Sequence, residues 1–287
     1  MGGNGDGGMN LQARVVDEIR RFVAESPHNR LKDIDGSPIF EEPLVGFADG
    51  DDPLFDLYKA VVGPFHFTPR EALATADGAC GPIPRVAVVS WVLPVSRETR
   101  LSNRRMKDGP SLRWNNTRFQ GEDFNERLRE HVVGFLREHG HLATAPFLAN
   151  LYKVNETPTG RAATWSERHA AYAAGLGTFS LTDALITEKG LAHRCGSAVT
   201  TAPFEPTERP YTYHLEYCRH FRTGKCGDCI KRCPAGAITE AGHDRRKCHE
   251  HLFVTQLDWV KRPGYIGSYG GCGLCLTGVP CESRIPR

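Results

Sequence analysis

The chain has 287 residues, with 36 Lys or Arg against 34 Asp or Glu, so its formal net charge is only +2. A hydrophobic fraction of 40% and a charged fraction of 24% are typical of a globular protein, and they exclude collagen-like, coiled-coil and disordered chains. The balanced charge gives no argument for a nucleic-acid or membrane partner, and no apolar run reaches the roughly 18 residues that a membrane-spanning helix needs.

The first third of the sequence predicts one helix and one buried strand. A Gly-rich lead over residues 1–10 precedes a stretch with apolar residues at helical spacing, which predicts a helix over 11–26 that ends at Ser26-Pro27. The nearly continuous apolar run 85–94 predicts a strand that is buried on both faces.

The middle of the sequence predicts a loop, two helices and a further strand. Residues 95–120 are polar and rich in Asn and Arg, which favours a long loop. Capping-box patterns predict helices over 123–140 and 164–175, each ending at a glycine, and 185–204 reads as a strand segment with a turn. We therefore expect an α/β cofactor and substrate domain over 11–205, followed by a cysteine-rich domain over 206–287.

Cysteine is the residue type with an unusual distribution. Eight of the ten cysteines lie within the last 70 residues, which indicates either a disulfide-rich secreted module or thiolates that bind metal in a reducing compartment. The twin Arg20-Arg21 is not followed by the hydrophobic segment of an export signal. We therefore expect a cytoplasmic protein whose clustered thiols bind metal.

The cysteine spacing predicts two iron–sulfur clusters. The pattern Cys226-x2-Cys229-x3-Cys233-Pro234 is typical of loops that wrap a cube, and in two-cluster proteins the cysteine before the proline binds the neighbouring cube. Each [4Fe–4S] cluster then has four expected ligands: Cys218, Cys226, Cys229 and Cys281 for the first, and Cys233, Cys248, Cys272 and Cys275 for the second.

Structural zinc is the alternative for these thiols, because Cys-x2-Cys pairs also build zinc ribbons. Ribbons separate their two pairs by roughly 15–20 residues. Here 42 residues lie between Cys229 and Cys272, and the Cys-Pro element has no role in zinc binding. The spacing therefore favours iron–sulfur clusters.

Two segments resemble the epoxyqueuosine reductases, which are cobalamin-dependent iron–sulfur enzymes related to reductive dehalogenases. They are the Ala-Ala-Gly-Leu-Gly-Thr stretch that begins at Ala173 and the Arg-Arg-Lys-Cys stretch that ends at Cys248. The resemblance runs from about residue 40 to the end of the chain. It implies an α+β protein in which a nitroreductase-like α/β domain binds base-off cobalamin and a ferredoxin-like module carries the two [4Fe–4S] clusters.

The resemblance also implies site residues. The family's proton-donating aspartate is replaced here by Asn155, which leaves Glu156 and Tyr152 as candidate catalytic proton donors. The residues expected to contact the cobalamin are Asn155, Gly175, Leu176, Gly177, Thr178 and Cys195. Simpler roles compete for some of them: Gly175 can end a helix, and Cys195, like Cys80, can be an inert buried thiol.

We accordingly expect an oxidoreductase in which two clusters pass electrons to cobalamin for the reductive cleavage or deoxygenation of a small-molecule or nucleoside-type substrate. An external donor of the ferredoxin or flavodoxin type would supply the electrons. A plain ferredoxin-type electron carrier or complex subunit is one alternative, and a reductive dehalogenase or a tRNA epoxyqueuosine reductase proper is another. The chain ends six residues after Cys281, without the helical-repeat extension that helps the family hold tRNA, so tRNA is disfavoured.

Overall fold

The computed structural model describes residues 10–77, 82–158 and 160–287, so Cys80 and most of the predicted lead lie outside the described residues. In chain order its elements are α1 (Leu11–Glu25), β1 (Leu44–Asp49), α2 (Leu54–Val61), α3 (Pro69–Asp77), β2 (Ala87–Pro94), α4 (Arg97–Arg104), α5 (Leu112–Glu138), β3 (Ala143–Thr144), β4 (Val154–Thr157), β5 (Gly160–Ala163), α6 (Glu167–Ala173), β6 (Thr178–Phe179), β7 (Leu185–Ile186), β8 (His193–Thr200), α7 (Arg219–Thr223), α8 (Asp228–Arg232), β9 (Ile238–Thr239), β10 (Gly242–His243), α9 (Arg245–Glu250) and α10 (Leu257–Val260). A π-helical turn (His251–Thr255) and a 3-10 turn (Leu274–Leu276) complete them.

A four-stranded antiparallel sheet in the order β1-β2-β8-β3 forms the centre of the protein. Every residue of β2 is buried, as the apolar run predicts. Val89 and Trp91 pack with α1 and α5 on one face, and Val88 packs with α2, α3 and α6 on the other. Helices therefore cover both faces of the sheet, and burial of each large apolar side chain stabilises this layered α/β arrangement by about 1.5–3 kcal/mol.

The predicted loop over 95–120 is wrong. Two helices occupy most of it, since α4 follows β2 directly and α5 begins at Leu112, where the Ser111 side chain accepts the Trp114 N–H. The predicted helix start at Asp123 therefore lies in the interior of α5. The polar residues form helices because their side chains make hydrogen bonds to residues distant in the sequence. Local helix propensity does not report such contacts.

Those partners are main-chain groups of the cysteine-rich segment. Asn103 donates to the Cys272 carbonyl at 3.3 Å, and Asn115 donates to the carbonyls of Ile266 and Gly270 at 3.1 and 3.3 Å. Both amides are fully buried. The seam of buried amides joins α4 and α5 to the segment that carries the second cysteine set.

Two further contacts fasten the same segment. The Arg232 guanidinium donates to the carbonyls of Met106 and Asn103 at 2.8 and 3.2 Å. Glu282, which is 2% exposed, accepts two hydrogen bonds from Arg104 at 2.7 and 2.8 Å. The division predicted at residue 205 stays a prediction, and the two sides share a polar interface.

The other predicted elements hold with shifted bounds. The first helix ends at Glu25, with Ser26 as its C-cap, and 185–204 contains β7 and β8. The helix expected from residue 164 begins instead at Glu167, because the Glu167 carboxylate faces other side chains and does not cap the helix. Within the three described ranges, no helix combines the length and apolarity needed to cross a bilayer.

Candidate functional site

The eight clustered cysteines form two groups of neighbouring thiols. Burial and the thiols of Cys218 and Cys226 raise the pKa of Cys229 to about 11, and the same neighbours raise the pKa of Cys281. The first group therefore contains the four cysteines of the first expected set.

The second group is assembled in the same way. Burial raises the pKa of Cys272 to about 11, with Cys233 and Cys248 adding to the rise. Burial and then Cys272, Cys248 and Cys233 raise the pKa of Cys275, and Cys229 of the first group contributes too. The two groups thus lie next to each other, and the ligand role of their members stays a prediction.

Single-ion sites and clusters require different spacings between their thiolates. Among the described residues, no three His, Cys, Asp or Glu side chains surround a position for a single metal ion. Thiolates on one tetrahedral zinc lie about 3.8 Å apart, given zinc–sulfur bonds of about 2.3 Å. Thiolates on a cube each bind a different iron and are farther apart.

All four thiols of the second group line a cavity of about 420 Å³, which we call the thiol cavity. Its wall also includes Arg168, His193 and Arg194 from the α/β layers and His243 from β10. Arg168 lines a second and larger cavity as well. One side chain therefore borders both spaces.

This main cavity has a volume of about 780 Å³. Its polar wall is supplied by the segment Ser166–His169 at the start of α6, together with Tyr152, Asp183 and Arg245. Its rim is apolar: Leu57 and Val61, one turn apart on α2, are 52% and 65% exposed and line it. Exposed apolar side chains concentrated at one cavity indicate a binding site for an apolar partner.

A buried charge network supports the polar wall. Arg129, which is 1% exposed, contacts Glu122 at 3.0 Å and Glu167 at 3.1 Å, and Glu122 also pairs with Arg194. The Ser197 hydroxyl donates to Glu167. Removing one partner of such a network costs about 3–5 kcal/mol, because a buried charge is left without compensation. The network therefore fixes the start of α6 at the cavity.

Two neutral histidines stand beside this wall. Burial lowers the pKa of His66 to about 4 and that of His169 to about 3. The ring of His66 stacks on Trp165 with centroids 5.9 Å apart, and its Nε2 accepts the Ser166 N–H. Among the described residues, His66 Nδ1 is a buried polar atom with no hydrogen-bond partner.

The candidate proton donors lie in different environments. Tyr152 lines the main cavity and packs at a tilt against Phe147 with centroids 4.4 Å apart, and burial raises the pKa of its phenol. The Glu156 side chain is 79% exposed and pairs with Arg161 at 3.2 Å. Only Tyr152 is thus placed at the cavity, and both catalytic roles stay predictions.

Asn155 lies on β4 between these two environments. Its neighbour Val154 lines the main cavity, and its register partner on β5 is Ala162, which also lines it. In the part of the chain that the structure describes, Asn155 Nδ2 is buried without a hydrogen-bond partner. A free buried donor is costly, so this position suits contact with a bound group.

The glycine segment is explained by packing within the chain. Gly175 has φ +78°, and a Cβ there would lie 2.7 Å from the Glu208 carbonyl; at Gly177 it would lie 2.1 Å from the Ile186 carbonyl. Leu176 packs in the apolar core, and Thr178 is buried and accepts the Tyr217 N–H. These contacts within the chain explain the segment without a cofactor, and its expected contact with cobalamin stays a prediction.

Cys195 lies on β8, with its Sγ 3.6 Å from His193 Nδ1. Burial raises the pKa of this thiol to about 12, so it is protonated at neutral pH. Its side chain packs near Val92 and Leu185. An inert thiol accounts for these contacts, and its role toward cobalamin also stays a prediction.

Sequence reasoning identified Tyr152 but missed the other residues of the polar wall. The capping-box pattern gives Glu167 a local role only, and Arg168, His169 and the nearby His66 carry no signal of their own. The available signal is the run Ser-Glu-Arg-His a few residues before the glycine segment, where three ionisable residues open an otherwise Ala-rich helix.

Comparison with known proteins shows a likeness of fold. No protein-family profile matches the chain, and no curated protein matches its sequence. The structure of epoxyqueuosine reductase from Streptococcus thermophilus has a TM-score of 0.50 at 14% identity, over 96% of this chain and 66% of that one.

Two other solved structures are similar to a lesser degree. An epoxyqueuosine reductase with a modified tRNA-Tyr stem loop has a TM-score of 0.43 at 20% identity, covering 83% of this chain and 61% of that one. A reductive dehalogenase described as B12-dependent has a TM-score of 0.46 at 20% identity, covering 68% and 26%. The chain thus spans about three fifths to two thirds of the reductases' length. Its fold matches that of the epoxyqueuosine reductases, as the sequence resemblance predicts.

The two neutral histidines predict a pH dependence of stability. A histidine whose folded pKa lies below its ordinary 6.5 contributes stability that is present above pH 6.5 and is lost as the pH falls toward the folded value. We expect the free energy of unfolding to fall between pH 6.5 and 4, with each histidine contributing about 1.4 kcal/mol per pH unit.

Urea unfolding followed by tryptophan fluorescence at several pH values measures this slope. His169→Gln should reduce it by about 1.4 kcal/mol per pH unit, and His214→Gln, at an exposed position, should leave it unchanged. An unaltered slope in His169→Gln would contradict the assignment.

Proposed function

We propose that the chain is a reductase that holds two [4Fe–4S] clusters on its eight clustered cysteines and base-off cobalamin in the main cavity. An external one-electron donor of the ferredoxin or flavodoxin type supplies electrons. The reaction is the reductive removal of a halide or oxygen leaving group from an apolar organic substrate. The fold likeness to an epoxyqueuosine reductase supports the same class of enzyme.

One observation carries this proposal. Eight thiols form two adjacent groups of four, and the second group lines a cavity whose wall shares Arg168 with the larger, apolar-rimmed cavity. Electron delivery requires a donor next to the acceptor, and this arrangement provides adjacent sites for both. A plain electron carrier has no need of the larger cavity.

The donor set fits iron–sulfur clusters. Burial raises the pKa of Cys272 and Cys275, so these two packed thiols deprotonate only when a metal group compensates their charge. Arg168 and Arg194 in the wall of the thiol cavity suit the net charge of −2 that a cube with four thiolates carries.

The main cavity has features that suit cobalamin. Asn155 Nδ2 and His66 Nδ1, two buried donors without partners among the described residues, flank residues of its wall and are suited to amide or phosphate oxygens of a bound corrinoid. Tyr152 and Phe147 offer aromatic surface. When bound, cobalamin would supply a low-potential cobalt centre for two-electron reduction.

The chain's own residues then bind the substrate and provide a proton. For an aryl halide, two electrons and one proton give the arene and the halide ion. Tyr152 is the better candidate for the proton donor because its neutral phenol lies at the cavity, whereas Glu156 pairs with Arg161 in solvent. His169 is neutral, since burial lowers its pKa to about 3, and so it lacks the acidic imidazolium proton that a general acid would give.

The rim favours an apolar substrate over tRNA. Leu57, Val61 and Val154 are exposed at the mouth. Arg161 and Arg245 also line the cavity, but they pair with Glu156 and Asp183, whereas a polyanion requires basic side chains that bind its phosphates. A nucleoside within tRNA remains the second candidate, since one structural neighbour is described with a tRNA stem loop.

Anaerobically purified protein should contain about eight irons per chain and little zinc. Cys275→Ser should lose about four of them, because it removes a ligand of one cluster only. Cys195→Ser, outside both groups, is the matched control and should keep all of them. Elemental analysis that finds zinc and no iron would reject the clusters.

The proton donor is tested with hydroxocobalamin-loaded protein, reduced viologen and two probes, 4-bromophenol and styrene oxide. Tyr152→Phe should lower turnover by about 10²–10⁴-fold, as expected for loss of a general acid, while an absorbance titration shows unchanged cobalamin binding. Glu156→Gln should keep the rate. Full activity in Tyr152→Phe together with a large loss in Glu156→Gln would reverse the assignment.

A further inference from the structure

Asp183 joins the α/β layers to the cysteine-rich segment. Its carboxylate accepts hydrogen bonds from His243 at 3.1 Å and Arg245 at 2.9 Å, and its carbonyl accepts one from Arg168. Its φ of +60° is uncommon for a residue other than glycine. The backbone therefore adopts an unfavourable conformation at the residue whose carboxylate contacts the cysteine-rich segment.

His243 connects this carboxylate to the second thiol group. Its side chain is 15% exposed, bonds Asp183 through Nδ1, and shares the wall of the thiol cavity with Cys248. A carboxylate and a metal-bound thiolate are both acceptors, so a ring held between them donates an N–H to each.

We propose that Asp183 positions His243 as an N–H donor to the Cys248 sulfur, and that this bond raises the reduction potential of the cluster on the second group. The inference rests on the proposed clusters. Hydrogen bonds to cluster sulfurs and nearby positive charge favour the reduced, more negative cluster. At metal sites, a carboxylate that hydrogen-bonds a histidine fixes the orientation of the ring and thereby changes the properties of the metal.

The first group differs in this respect. The ring of His220 beside it bonds the Cys226 carbonyl at 2.8 Å, not a sulfur. A histidine N–H directed at a sulfur of the second group biases the electron toward the cluster that borders the cavities. The Asp183–His243 pair therefore favours electron transfer from the first cluster to the second.

The test is a redox titration of the anaerobic holoprotein with dithionite, monitored by electron paramagnetic resonance. Each step adds one electron from dithionite to a cluster, with no bond made or broken. In His243→Phe the reduced-to-oxidised ratio of one cluster at fixed potential should fall at least about tenfold, which is 59 mV for one electron. The other cluster should keep its midpoint.

Two Asp183 variants separate positioning from folding. Asp183→Gly suits the positive φ and removes the carboxylate, so it should shift the same midpoint in the same direction. Asp183→Asn tolerates that φ and keeps an acceptor oxygen, so it should restore most of the potential. His220→Phe is the matched histidine control and should leave the second midpoint unchanged.

The outcomes distinguish this inference from the proposed function. Wild-type protein without iron or cluster signals would overturn both. Two intact clusters in the wild type, with midpoints that neither His243→Phe nor Asp183→Gly moves, would overturn the role of His243 alone. Iron analysis of each variant establishes that the clusters compared are fully loaded.

Discussion

Buried amide side chains hold the cysteine-rich segment against the α/β layers, and the geometry of both cavities depends on them. Asn103 and Asn115 are fully buried and donate to carbonyls of the segment that carries Cys272. An unpaired buried polar group costs about 1–3 kcal/mol. Any other placement of the cysteine-rich segment would leave these amides unpaired, so the bonds determine its position as well as stabilise it. The second thiol group is thereby fixed beside the cavity wall that contains Arg168.

The main cavity has a rigid polar wall and an exposed apolar rim. The network of Arg129 with Glu122 and Glu167 is paired, which keeps the start of α6 in place and holds the Glu167 carboxylate in the wall. The rim on α2 leaves Leu57 and Val61 in solvent. A preorganised polar wall and an apolar entrance suit a site that excludes water around a reacting group.

The sequence predicted those features that local patterns determine. The apolar run gave β2, the helical spacing gave α1, and the cysteine spacing gave the two sets that lie together. Helix α4 and the first part of α5 were missed because their buried asparagines are stabilised by carbonyls about 150 or more residues away in the chain. The role of Glu167 was missed for the same reason, since its partners Arg129 and Ser197 are brought to it only by the fold.

The central claim is that a corrinoid in the main cavity lies next to a cluster on the second thiol group. Electron paramagnetic resonance of protein loaded with the cobalt(II) form of cobalamin tests it directly. We expect the cobalt signal to broaden or split when the clusters are reduced to their paramagnetic state, and to lose this effect in Cys275→Ser. A cobalt signal that is identical with oxidised and reduced clusters would contradict the account.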